Sequence, residues 1–98
     1  MKALTLHACW AWAIAHAGKD IENRVWSPPK AMIGQRIAIH AGAKPGDHEG
    51  QADCAEMCQL AGAEPPPTWP RSAILCTAIL ADVVTVHSSD WFGGPYGW

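Results

Sequence analysis

Nine consecutive residues, Gly18-Lys19-Asp20-Ile21-Glu22-Asn23-Arg24-Val25-Trp26, bring together an amine, two carboxylates, an amide, a guanidinium and an indole. Read as an extended strand, Glu22, Arg24 and Trp26 share one face, and Ile21, Asn23 and Val25 the other. Charges of both signs beside a tryptophan suit the wall of a cleft. Lys19 would serve as a base or nucleophile if desolvated, because burial lowers a lysine pKa. Glu22 and Arg24 would recognise a base edge and a phosphate, the arginine through its planar fork. A surface strand carrying an ion pair has the same spacing, and such pairs contribute only ~0–1 kcal/mol.

Other residues extend or limit this chemistry. Trp10 and Trp26 offer faces for base stacking, and a helix-to-core contact is the competing reading for Trp10. Trp12 lies on a different helix face and reads as core or surface. His40 shares a strand face with Arg36 and reads as a structural hydrogen-bonder more readily than as an acid–base group. Cys54 and Cys58 stand at helical i, i+4 spacing with His48 nearby. Structural zinc usually takes four ligands with a tighter cysteine knuckle, so these read as thiols, with no metal site. There is no phosphate-cradling glycine loop and no supported serine–histidine–acid order. No cofactor is expected.

The elements that must position these groups follow from period and punctuation. Lys2 to Leu6 reads as a short strand. Trp10, Ala13, Ile14 and Ala17 recur at helical spacing in an alanine-rich run that Gly18 stops. Ile21–Trp26 is the next strand, ended by Ser27-Pro28-Pro29. Arg36–Ala41 is a strand with Ile37, Ile39 and Ala41 on one face. A second helix runs from about Glu49 to Ala61, with Gly62 as its stop. The proline-rich stretch from Glu64 to Pro70 is a connection. Ser72 to Val86 reads as a long β-branched strand, bent or bulged near Asp82, with a helix over Ala73–Ala81 also consistent with periodicity. Phe92-Gly93-Gly94-Pro95 is a turn, and Tyr96-Gly97-Trp98 begins another strand. This order predicts an α+β chain, a small barrel of short strands with two helices covering its openings.

The bulk numbers set limits. A chain of 98 residues, 49% hydrophobic and 16% charged, is one domain with a modest core. Its formal charge of −2 argues against a protein held to nucleic acid by bulk electrostatics. A local basic patch is compatible with it, since Lys19, Arg24, Lys30, Arg36 and Lys44 all precede residue 45. Six tryptophans are many for this length. Their indole N–H groups need partners when buried, so some should line a cleft or rim. No signal-peptide pattern and no run of membrane-spanning length is present, which makes the cytoplasm, with reduced thiols, the expected setting.

The segments Leu6-His7-Ala8-Cys9-Trp10-Ala11-Trp12-Ala13-Ile14, Gly18 to Trp26 and Ile37-Ala38-Ile39-His40-Ala41 resemble the ASCH domain, of the PUA-like superfamily. The Gly-x-Lys-x-x-Glu-x-Arg pattern with a downstream tryptophan is its most specific signature. Ala73–Ala78 and Tyr96-Gly97-Trp98 also fit, so the resemblance covers nearly all of residues 1–98. It implies a PUA-like β-barrel, incomplete at the C-terminal strands because the family continues past Tyr-x-Trp. It implies RNA, or a modified nucleoside or nucleobase, as partner, in a site of Trp10, Lys19, Glu22, Asn23, Arg24, Trp26 and His40. Some small family members are amidohydrolases of N4-acetylcytidine that use a lysine, a threonine and a glutamate. Lys19 matches that lysine, but Glu22 stands at the threonine position. An amidohydrolase or nuclease acting on acylated cytidine or RNA, with Lys19 and Glu22 reacting, is therefore the alternative to a binding module. Ala8-Cys9 also replaces the family's Gln-Pro, removing a cleft amide and a first-turn proline.

Overall fold

The computed structural model describes residues 1–98. Strand β1 is Ala3–Leu6, helix α1 Ala8–His16, β2 Asn23–Arg24, β3 Arg36–Ala41, α2 His48–Leu60, β4 Ala73–Ile79 and β5 Tyr96–Gly97, with a short 3₁₀ turn at Lys30–Met32. Three strands form one sheet in the order β1-β3-β4, and β2 and β5 form a separate pair. β1 runs parallel to β3, with Leu4 beside Ile39 and Leu6 beside Ala41. β4 runs antiparallel to β3, with a bulge at Ile39/His40.

The expected barrel is not closed. The predicted Ile21–Trp26 strand shrinks to Asn23–Arg24, and its partner is β5, not the larger sheet. The long strand predicted from Ser72 to Val86 ends at Ile79. Beyond it, the Asp82 carboxylate accepts the Val83 N–H at 2.8 Å, and the chain pairs again at Val84, opposite Gly97. Hydrophobicity and β-branching mark both halves of that stretch as extended. A side chain that captures its neighbour's N–H interrupts the ladder between them. What the structure shows is a small α+β domain with two helices and two small sheets.

Period-two alternation decides what the larger sheet buries. Leu4, Leu6, Ile37, Ile39 and Ala41 join Ala8, Ala11, Leu80 and Trp98 in the core between the sheet and α1. On the opposite face the Thr5 hydroxyl and His40 Nδ1 share a hydrogen bond of 3.2 Å, and Arg36 donates to the Thr77 hydroxyl at 3.1 Å. The other side of α1 packs on α2. Cys9, Ala13 and Ala17 meet Cys54 and Cys58 there, and side chains this small let the helices approach closely. Asp47 caps α2 by accepting the Gly50 N–H at 2.6 Å. Neither helix is long and apolar enough to cross a membrane.

Gly18, at φ 73°, ends α1 as its sequence position predicts, and returns the Lys19 N–H to the Ala13 carbonyl at 3.2 Å. The C-terminal residues then fasten the chain that follows. Glu22 and Trp98 exchange two backbone hydrogen bonds, at 3.1 and 2.9 Å, and Gly97 pairs with Val84 on its other side. Gly97 is the tightest point. A Cβ there would lie 2.8 Å from Ile21 Cγ2 and 2.9 Å from Phe92 Cδ1. Gly97→Ala should therefore destabilise the domain by ~1–3 kcal/mol, the usual cost of overpacking. Chemical denaturation of the two proteins measures this, and an unchanged midpoint would mean that Ile21 and Phe92 are not seated against β5.

Candidate functional site

Parallel strands β1 and β3 end side by side, and an open cleft of about 680 Å³ lies off their carboxyl ends. Crevices at the carboxyl ends of parallel strands are a general place for ligands, and the volume falls in the usual ~300–1,000 Å³ range. Thr5, Leu6 and His7 line it from the β1 end, and Gly42, Ala43 and Lys44 from the β3 end. Trp10 comes from the first turn of α1, and Lys19, Glu22, Asn23 and Arg24 from the chain between α1 and β2 and from β2 itself.

Lys19 is the unusual member. Its side chain is 2% exposed, and its ammonium group donates to the Ile21 carbonyl and lies 3.4 Å from Glu22 Oε1. The Trp10 and Trp91 ring centroids stand 5.6 and 5.9 Å from Nζ, within cation–π range. Burial lowers the Lys19 pKa below the ordinary lysine value, and the Glu22 carboxylate opposes that shift. Glu22 Oε2 is also 3.2 Å from Arg24 Nε, so one carboxylate joins two cations. That Nε, though buried, is not aligned for a hydrogen bond. Arg24 is anchored instead by its Nη2, which donates to the Thr5 carbonyl at 2.9 Å. The guanidinium thus ties β2 to the end of β1.

Asn23 holds a loop in place while lining the cleft. Its amide donates to the Trp91 carbonyl at 2.9 Å and accepts from the N–H groups of Gly93 and Gly94 at 2.7 and 3.1 Å. Asp20 accepts from the Ser89 hydroxyl at 2.6 Å. These bonds keep residues 89–94 against the segment that carries Lys19.

Five of the residues expected in the site, Trp10, Lys19, Glu22, Asn23 and Arg24, line one cleft. Two do not. Trp26 is half-exposed outside it, edge-on to Trp98 at 4.9 Å, and its carbonyl accepts the Trp98 indole N–H at 3.1 Å. The strand that would have carried it into the cleft ends at Arg24. His40 lies with Thr5 on the sheet face turned away from the core, as alternation along β3 requires. Lys44, His7 and Thr5 join the cleft without a signal in the sequence, and Trp91 stands beside Lys19 without lining it. Lys44 and His7 follow strands whose parallel pairing no local pattern reveals, and Trp91 is brought in by the Asn23 bonds.

Trp12 packs instead on His16 and edge-on to Trp69, with ring centroids 5.0 and 5.6 Å away. Cys9, Cys54 and Cys58 are fully buried between the helices. The hydrogen bond with Cys9, then burial, push the Cys54 thiol up, and burial pushes Cys58 up. They fill the helix interface as small apolar groups. The α1 N-terminus is no anion site either. Its first N–H groups, on Ala8 and Cys9, already donate to the Lys44 and Pro45 carbonyls at 3.1 and 3.4 Å.

Because the folded chain holds the Lys19 proton less tightly than the unfolded chain, stability should rise with pH between the folded pKa and the ordinary lysine value. Glu22→Gln removes the charge that favours the ammonium form and should lower the Lys19 pKa further. Titration of the lysine ¹³Cε signals checks this. A Lys19 pKa that stays put or rises in Glu22→Gln would contradict the contact.

The ASCH domain family model matches residues 4–93. The comparisons with curated proteins and with solved structures returned no significant match.

Proposed function

The chain belongs to the ASCH domain family, and from that premise we propose that its cleft binds a nucleobase of single-stranded RNA or a modified nucleoside. The ASCH family is associated with RNA binding, and that association supports the class of ligand. The observation that carries the reading is the make-up of the cleft. One tryptophan, Trp10, lines the same 680 Å³ space as a carboxylate, an amide and three cations, Lys19, Arg24 and Lys44.

Each group has a physical task. Trp10 supplies a stacking surface, which every base accepts through its π face. Glu22 can accept from donors on a base edge, and its contacts to Lys19 and Arg24 hold its carboxylate in place. Arg24 is fixed by Thr5 and Glu22, so its planar fork is preorganised at little entropic cost. Lys44 stands on the loop after β3 and meets the phosphate. Three cations against one carboxylate give the lining a local positive excess within a chain of net charge −2. That balance suits one or two nucleotides rather than a long backbone track.

Tryptophan fluorescence during titration with nucleosides and short RNA oligomers tests the reading. Trp10→Ala should weaken binding by ~1–3 kcal/mol, the usual stacking contribution per base. Lys44→Ala should weaken RNA binding across sequences and reduce the salt slope by about 1, leaving free-nucleoside binding nearly unchanged. No saturable quenching in a cooperatively folded protein, at low salt and with every nucleoside, would sink the proposal.

A second reading draws on one observation, the desolvated Lys19 amine 3.4 Å from Glu22 in the same cleft. It makes the protein a hydrolase of acylated cytidine or of RNA, with these two groups as the reacting pair. Turnover of an acylated cytidine that vanishes in Lys19→Met is the expected result. Intact substrate after long incubation with folded wild-type protein excludes it.

A further inference from the structure

Behind the Lys19–Glu22 pair lies a second cavity of about 230 Å³, and the two residues line both spaces. Its lining holds more apolar residues than that of the cleft. Ile37 and Ile39 of β3, Ala78 and Leu80, Ile14 of α1 and Trp98 line it, and the exposed Ile79 stands among its apolar residues too. Ile37 and Ala78 are register partners across β3 and β4, so both point to the core face of the sheet.

We propose that this apolar cavity is a ligand site in its own right, for a small neutral aromatic or branched aliphatic group of benzene to indole size. The inference rests on the cavity alone and not on the nucleic-acid reading of the cleft. Size is the first argument. A cavity of about 150 Å³ lined by Leu, Ile and Phe side chains stays dry and binds benzene. That cavity is closed; this one opens to solvent, is larger, and is lined by nine apolar residues together with Lys19, Asp20 and Glu22. Water that wets these apolar walls is released when an apolar ligand covers them, which is favourable.

Charge fixes the class of ligand. The ionised groups on the wall are Lys19, Asp20 and Glu22. Lys19 and Glu22 are matched to each other, and Asp20 is occupied by Ser89. No counter-charge is free to meet an ionised headgroup, and burying an unmatched charge is costly. A neutral apolar ligand meets no such cost. It would also exclude water from the inner side of Lys19, deepening the desolvation that already lowers its pKa.

Benzene and indole are the probes. In ¹³C-methyl spectra of the full chain, benzene should produce saturable shifts at Ile14, Ile37, Ile39, Ala78 and Leu80. The unfolding temperature should rise with the logarithm of benzene concentration, as mass action requires. Ala78→Phe, on the edge strand, places a ring in the cavity and should abolish both responses. If that variant fails to fold, Ile14→Phe fills the space from the helix side. The absence of saturable methyl shifts in the wild-type protein at benzene saturation overturns the proposal. So does a response that persists in a folded, cavity-filled variant.

Discussion

An ammonium group removed from water must be surrounded by groups that replace its hydration, and in this protein that requirement falls on Lys19. Its Nζ is met by the Ile21 carbonyl, the Glu22 carboxylate and the faces of two tryptophans. No single element supplies these. Trp10 comes from α1, Ile21 and Glu22 from the chain after it, and Trp91 from the loop before β5. Keeping Lys19 satisfied therefore fixes the relative placement of all three. The same carboxylate then reaches Arg24, whose guanidinium secures β2 to the end of β1. Because breaking a buried pair leaves an uncompensated charge, the chain from Lys19 to Arg24 works as one unit.

That unit separates two spaces of different character. On one side is an open, net cationic cleft, and on the other a smaller, more apolar pocket that also opens to solvent. The cleft exists because β1 and β3 are parallel and end together. The pocket lies where Trp98, packed in the core with Ile37 and Ile39, meets Ile14 and Leu80. Glu22 and Trp98, joined by two backbone hydrogen bonds, stand at the seam. A tryptophan there fills more volume than any other side chain, yet still leaves the space beneath Ile37 and Ile39 unfilled.

Much of the site was legible in the sequence. Gly18 had to end a helix, since it follows the last periodic residue, and Lys19 had to begin the next segment. The density of opposite charges around Glu22 marked a wall. Alternation carries Trp26 into the cleft only if the strand continues, whereas β2 stops after two residues and Trp26 packs on Trp98. His40 was grouped with the site by resemblance, although period two along β3 already set it on the face away from Ile37 and Ile39. Lys44 carried no local signal beyond its charge. Its position depends on β3 lying beside β1, a contact between residues far apart in the chain.

The sequence by itself determined the local elements: both helices and their stops, the span and faces of β3, and the membership of Lys19, Glu22 and Arg24 in one constellation. Those features depend on backbone preferences and side-chain period, which act over a few residues. Only the tertiary structure decided that the strands form two small sheets, that Lys19 is buried, that Asn23 is spent on a loop, and that a net cationic cleft and a more apolar pocket share a wall. These depend on which distant segments satisfy each other's hydrogen bonds and charges. Pairing of Glu22 with Trp98, or of Leu4 with Ile39, is a property of the packed chain that neither partner's neighbours encode.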